Sequence, residues 1–215
     1  MGEARSTLQP TDFAARRDVV LVDLRPTSER RSEVGFLPAS LSLPRATWDT
    51  AEATLAELAA LDDVSAIALY CTSGRRSAEA RAALEAESAI PVWSLEGGVL
   101  AWEAAGLPVC RVAPAPAQSP RTVMEYRRHL LACFVGANAE LALDTDARAE
   151  PYQMLLECFE RARVSWDEPT VEGLYRVVDW AAIATFRAGG SLAGIAENVG
   201  SMVAMLGAID ETGKS

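Results

Sequence analysis

The chain has 215 residues, of which 50% are hydrophobic, and 30 acidic residues against 20 basic ones give it a formal net charge of −10. This composition is typical of a globular protein with a substantial core, and the negative charge argues against general nucleic-acid binding. No uninterrupted apolar segment approaches the roughly 20 residues that span a bilayer, and the N-terminus lacks a secretory pattern, so we expect a soluble, cytoplasmic protein that binds no membrane.

Short apolar runs alternate with helical patterns in the first half of the chain. Residues 19–24, 66–70 and 90–95 are β-branched or almost continuously apolar, as in strands that are covered on both faces. Helical spacing marks residues 46–61 and a segment capped by Ser77. The alternation predicts an α/β fold over residues 1–112, with a parallel sheet flanked by helices.

The second half has a different pattern. Residues 113–120 are rich in proline and alanine, which suits an extended linker. Residues 121–215 show helical spacing throughout, which predicts a smaller all-α domain such as a four-helix bundle. Its last helix carries an apolar seam, from which we expect homodimerisation or the docking of a partner protein. The seam consists of Leu192, Ile195, Val199, Met202, Leu206 and Ile209.

The cysteines and the single histidine limit the chemistry. Cys71, Cys110, Cys133 and Cys158 are scattered without a C-x-x-C pair, which favours free thiols over disulfides or a metal site. His129 is the only histidine, so a metal cluster or a Ser-His-Asp triad is not expected, and we place it on a solvated helix face. Cys133 and Cys158 fall on apolar helix stripes and are expected to fill the core.

Cys71 has a more distinctive setting. It ends an apolar strand and is followed by a turn with a glycine and two arginines, and then by a helix. In a parallel α/β sheet, ligands bind at the carboxyl ends of the strands. The turn's N–H groups, the helix N-terminus and the guanidinium groups of Arg75 and Arg76 are all expected to favour the thiolate, which is the reactive form. A buried, inert cysteine needs none of these features.

Three segments in order resemble the rhodanese family over residues 5–111. They are "LVDLRPTSE", "YCTSGRRS" and "LEGGVLAWEAAGLPV", which match the family's D-x-R segment, its C-x-x-G-x-R-S loop and its G-G-x-x-x-W segment. The matching residues are Asp23, Arg25, Glu29, Cys71, Gly74, Arg76, Ser77, Gly97, Gly98 and Trp102. One departure is "GFLPAS", where Phe36 and Ala39 stand for the histidine and glycine of the family's G-H-I-P-G-A.

The resemblance implies sulfur transfer through Cys71, which would accept a sulfane sulfur as a persulfide. The active-site loop would comprise Thr72, Ser73, Gly74, Arg75, Arg76 and Ser77. Two of these, Arg75 and Arg76, are expected to hold a dianionic donor such as thiosulfate. Asp23 and Arg25 are interpreted as supporting residues under the loop, and Glu29 as a solvated helix charge.

The expected partners follow from this chemistry. The donor would be a small anion or a protein persulfide, and the acceptor cyanide, a thiol or a partner protein; no cofactor or metal is required. Cys110, close to the linker, is a less favoured candidate for accepting sulfur from Cys71.

Two other functions remain open. Rhodanese-like domains also serve as binding modules without catalysis, although these often lack the cysteine. A Cys-dependent phosphatase or arsenate reductase of similar fold is less favoured, because such enzymes have five residues between cysteine and arginine. Here Cys71 and Arg76 enclose four, and Ser77 occupies the position of that arginine.

Overall fold

The computed structural model describes residues 7–44, 58, 64–85, 88–143 and 151–212. The predicted helix over 46–61 lies outside these residues, apart from Leu58, which is helical and buried. The chain forms two compact units, Met1–Val109 and Cys110–Ser215.

A parallel sheet of five strands organises the first unit. The strands are β1 (Thr7–Leu8), β2 (Val19–Asp23), β3 (Ser40–Ser42), β4 (Ala66–Tyr70) and β5 (Val92–Leu95), and their order in the sheet is β1-β5-β4-β2-β3. All pairings are parallel. Every residue of β2 and of β4 is buried, which explains why these strands have continuous apolar runs instead of alternation. The predicted α/β fold is confirmed.

Four helices are described in this unit. They are α1 (Pro10–Ala14), α2 (Thr27–Arg30), α3 (Arg75–Leu84) and α4 (Gly98–Ala104). Helix α3 begins two residues before the predicted cap, Ser77. Gly74 is the residue that precedes the helix, with φ +84, a conformation that glycine adopts without the steric cost of a side chain. The prediction that Ser77 caps this helix is therefore wrong.

The second unit is helical, as predicted. Its helices are α5 (Val123–Leu143), α6 (Pro151–Arg161), α7 (Val171–Arg187) and α8 (Leu192–Thr212). Each packs on the next along the chain, and α5 also contacts α7 and α8. The residues between Arg111 and Arg121 form no helix or strand and are mostly exposed, and the linker over 113–120 stays a prediction.

The apolar seam of α8 is used inside the folded chain. Ile195, Val199, Met202, Leu206 and Ile209 are all buried. These five residues therefore contribute to the core, Leu192 is half-buried, and homodimerisation or the docking of a partner through the seam stays a prediction.

One finding qualifies the expectation that no apolar segment reaches the length of a bilayer. Residues Leu192–Asp210 of α8 are long and apolar enough to cross a membrane by length and composition, with half of this window buried inside the folded chain. A single helix of this kind is weak support for a membrane span, because the core helix of a soluble protein passes the same test.

Candidate active site

The site lies where the central strand β4 ends. Tyr70 is the last residue of β4 and pairs in register with Asp23, the last residue of β2, so Cys71 follows at the carboxyl edge of the sheet. The turn from Cys71 to Gly74 leads directly into α3. The predicted loop residues 71–77 are thus one continuous turn and the first turn of a helix.

Hydrogen-bond donors surround the sulfur of Cys71. Burial acts to raise the pKa of this thiol, but the backbone N–H groups of Ser77, Ser73 and Gly74 and the hydroxyl of Ser77 act in the opposite direction, and the net result is a pKa below the ordinary value. The Ser77 Oγ lies 3.9 Å from the Cys71 Sγ. A negatively charged sulfur at this position accepts hydrogen bonds from several N–H groups at a helix N-terminus, and this arrangement favours the thiolate.

The first turn of α4 fixes the loop from the other side. The N–H groups of Val99 and Leu100 donate to the carbonyl oxygens of Cys71 and Thr72, at 3.0 and 3.1 Å. These two hydrogen bonds satisfy the carbonyl groups and fix the loop to α4, while the N–H groups of Ser73 and Gly74 interact with the sulfur. Gly98 permits this approach, since a Cβ there would lie 2.1 Å from the Cys71 oxygen.

Ser77 and Ser94 link the loop to the neighbouring strand. The two hydroxyl oxygens are 2.8 Å apart, and the Ser77 Oγ also lies 3.0 Å from the Gly74 carbonyl oxygen, which shares the single hydroxyl hydrogen with the sulfur. Both serines are buried. Ser77 thus joins the helix start, strand β5 and the thiol, whereas Ser94 was not singled out from the sequence.

Asp23 and Arg25 form a buried ion pair beneath the loop. The Arg25 Nε and Nη2 donate to the Asp23 carboxylate at 2.9 and 2.8 Å, and both side chains are fully buried. Arg25 also donates to the Gly35 carbonyl and lies against the ring of Tyr70. The pair thus lies beside Tyr70, the residue before Cys71, and its support of the loop stays a prediction.

Glu29 differs from its sequence interpretation as a solvated charge. Its carboxylate accepts two hydrogen bonds from the Arg76 guanidinium, at 2.8 and 2.6 Å, and one from the Thr72 hydroxyl at 3.3 Å. The hydrogen bonds from Arg76 are the main reason that the pKa of Glu29 lies below its ordinary value, although partial burial opposes them. Arg76 is held by Glu29, and the exposed Arg75 side chain lies 4.0 Å from Glu79.

The segment "GFLPAS", which differs from the family's G-H-I-P-G-A pattern, is buried along its whole length. Phe36 is buried, with the Arg30 guanidinium 4.2 Å from its ring centroid. Ala39 has φ +55, a region in which an L side chain is strained and for which glycine is better suited. The substitution of the family's glycine by Ala39 therefore leaves the backbone in the conformation that a glycine would adopt.

Burial raises the pKa of two other thiols, Cys133 and Cys158, above the ordinary value. Cys158 is buried, as predicted, and burial raises its pKa to about 12. Cys133 is partly exposed, contrary to the core position predicted for it, and its sulfur lies 3.5 Å from the Nε2 of His129. Cys110 is buried, and its participation in sulfur transfer stays a prediction. Within the described ranges, no group of three or more His, Cys, Asp or Glu residues could hold a metal ion.

Comparison with known proteins agrees with this arrangement. The family model of the rhodanese-like domain matches residues 10–105. A sulfurtransferase from Allochromatium vinosum is 37% identical over 102 residues, which cover 47% of this chain and 86% of that relative. The chain belongs to the rhodanese-like family. Family and relative together support a sulfurtransferase-like role for its first unit.

Two solved structures are also similar. A protein of unknown function from Rhodopseudomonas palustris, described as a possible tyrosine phosphatase, is 28% identical with a TM-score of 0.38 and covers 49% of this chain and 84% of that one. A thiosulfate sulfurtransferase from Pseudomonas aeruginosa is 25% identical with a TM-score of 0.39 and covers 50% of this chain and 20% of that one. TM-scores this low do not bear on function.

Proposed function

We propose that this rhodanese-like protein transfers sulfane sulfur through a persulfide on Cys71. The thiolate attacks the outer sulfur of a donor, so that one S–S bond forms at Cys71 while the donor's S–S bond breaks. The leaving group would be sulfite when the donor is thiosulfate, and the thiolate R–S⁻ when the donor is a persulfide. A thiol or cyanide then takes the terminal sulfur and regenerates the Cys71 thiolate. The two half-reactions involve no net oxidant.

The observation that supports this proposal most directly is the ring of donors around the Cys71 sulfur. A persulfide needs a nucleophilic thiolate to form, and its negative terminal sulfur is stabilised by N–H groups that are already oriented. The N–H groups of Ser73, Gly74 and Ser77 meet both needs. An inert binding module would not require the pKa of this thiol to be lowered.

A phosphatase finds less support in the same loop. Such chemistry needs an arginine in the cradle to bind the equatorial oxygens of the phosphoryl group. Ser77, at the position that this arginine would occupy, is buried against Ser94, and Arg76 is paired with Glu29.

Intact-protein mass spectrometry under non-reducing conditions tests the proposal. Wild-type protein incubated with thiosulfate, or with the persulfide of 2-mercaptoethanol, is expected to gain about one sulfur atom, which cyanide removes. Cys71→Ser should gain none, whereas the matched variant Cys133→Ser should gain sulfur like the wild type. An unchanged wild-type mass with both donors would refute sulfur transfer through Cys71. Turnover of an aryl phosphate that depends on Cys71 would instead establish the phosphatase.

A further inference from the structure

Both arginines of the active-site loop have carboxylate partners. The Arg76 guanidinium forms a two-pronged salt bridge with Glu29, and its Nη2 is also 3.3 Å from the Thr72 hydroxyl. Arg75 has 81% of its side chain exposed and lies near Glu79. The loop that was expected to hold a dianion with two guanidinium groups is therefore nearly neutral at its rim.

The Glu29–Arg76 pair contacts the hydroxyl of Thr72, the residue that directly follows Cys71. The Cys71 thiolate contributes to raising the pKa of Arg76, after the larger contribution from its hydrogen bonds with Glu29. An anion bound beside Cys71 through Arg76 must displace the Glu29 carboxylate or lie against it. Paired N–H···O⁻ bonds of this geometry are among the stronger protein hydrogen bonds, and two like charges in contact repel.

A donor without a doubly charged group avoids this competition. Thiosulfate carries two negative charges, and its sulfonate oxygens need donors such as those of Arg76. A persulfide carries at most one negative charge on its two sulfur atoms, and none when it is protonated as R–S–S–H. It requires only that its outer sulfur reach the Cys71 thiolate and that R–S⁻ leave as the new S–S bond forms.

We infer that Glu29 is a specificity-determining residue, which occupies Arg76 and thereby selects persulfides of low charge over dianionic sulfur donors. This inference rests on the sulfur transfer proposed above for Cys71. Glu29 acts in it through Arg76 and does not itself touch the sulfur.

The test compares the loading of Cys71 by two donors. The rate of sulfur gain is followed by intact mass, with thiosulfate or the persulfide of 2-mercaptoethanol, in wild type, Glu29→Gln, Glu29→Asp and Glu79→Gln. In Glu29→Gln the ratio of the thiosulfate rate constant to the persulfide rate constant should rise about tenfold, which corresponds to about 1.4 kcal/mol. Because 39% of the Glu29 side chain is exposed, the exchange should leave the fold intact, which thermal melting verifies.

The two control variants test whether the carboxylate charge at position 29 is what matters, rather than the size of the side chain there or the net charge of the protein. Glu29→Asp keeps the carboxylate and should keep the wild-type ratio. Glu79→Gln removes the same charge from the partner of Arg75 and should also leave the ratio unchanged. An unchanged ratio in Glu29→Gln, or an equal rise in either control, would overturn the inference while sulfur loading of Cys71 continued. Absence of loading from both donors in wild type would instead overturn the proposed function itself.

Discussion

The pKa of Cys71 depends mainly on neutral hydrogen-bond donors, and Arg76 adds a further interaction with the thiolate. The sequence suggested that Arg75 and Arg76 would favour the thiolate, but Arg75 extends into solvent and Arg76 is held by Glu29. Burial acts to raise the pKa of Cys71, but it is outweighed, and the main groups that lower this pKa are backbone N–H groups and one hydroxyl. A thiol of this kind keeps its thiolate to a lower pH than a free cysteine does.

Ser77→Ala tests this at a single atom. Removal of the Oγ should raise the pKa of Cys71, because one donor to the charged form is lost while the backbone donors remain. The midpoint of the alkylation rate by iodoacetamide, measured against pH, should therefore move to a higher pH in the variant. At a pH below the midpoint the variant therefore reacts more slowly than wild type.

The matched control is Ser73→Ala, since Ser73 acts on Cys71 through its backbone N–H. Its pH profile should coincide with that of the wild type. Identical profiles for Ser77→Ala and wild type would mean that the hydroxyl has no influence on the thiol.

At this scale the sequence indicated the residues of short motifs, but it did not predict which side chains Arg76 and Ser77 would contact. Cys71, Gly74 and Ser77 follow one another within seven positions, so their motif is visible in the chain. Glu29 and Ser94 lie far from them in sequence, and only folding brings Glu29 to Arg76 and Ser94 to Ser77. An isolated glutamate on a short helix gives no local signal of its partner.

Among the secondary-structure elements, predictability followed length and burial. The predicted strands over 19–24, 66–70 and 90–95 are β2, β4 and β5, shortened by one or two residues where they differ. Strands β1 and β3 were not predicted, since two or three residues are too few to show a periodicity. The start of α3 was displaced because a glycine before a helix, with positive φ, leaves no capping side chain to recognise.

Helix α4 provides a prediction for an element that supports the loop. Gly98→Ala should abolish or strongly slow the sulfur loading of Cys71, because the new Cβ would collide with the carbonyl oxygens of Cys71 and Thr72. The free energy of unfolding should also fall by about 2–3 kcal/mol, from overpacking added to backbone strain. Thermal melting and intact mass measure the two effects.

The other end of the same helix supplies the control. Gly106 also has positive φ, but a Cβ there would meet nothing within 4 Å. Gly106→Ala should therefore cost only the backbone strain, about 1 kcal/mol, and leave loading unchanged. Equal effects of the two substitutions would show that backbone strain alone explains both.

On the scale of the whole molecule, the match to the rhodanese-like family covers the first unit and does not extend to the helical unit. The family model ends at Ala105, within the first of the two compact units. The helical unit was predicted from its spacing, and its four helices are present, but helical periodicity reports only which faces are buried. It says nothing about a ligand, which requires a recognisable arrangement of chemical groups.

The cysteines of the two units should differ in reactivity in a way that exposure alone does not predict. Cys133 is more exposed than Cys71, yet partial burial raises the pKa of Cys133. Cys158 is buried, and burial raises its pKa to about 12. At pH 7 we expect iodoacetamide to modify Cys71 first, Cys133 more slowly and Cys158 last, since the thiolate is the reacting form. Peptide mapping by mass spectrometry gives the order.

Denatured protein serves as the reference, in which these three cysteines should react at similar rates. Modification of Cys133 before Cys71 in the folded protein would show that access, and not thiolate content, governs the order.

The contact between Gly74 and Gly97 limits how the site could be engineered. A Cβ on Gly74 would lie 2.9 Å from the Gly97 nitrogen, so two distant turns meet backbone to backbone. Transplanting residues 71–77 into another scaffold would therefore carry the cysteine without the turn that shapes its surroundings. A functional graft would have to include residues 97–100 in the same relative position, which makes the smallest portable form of this site a pair of turns.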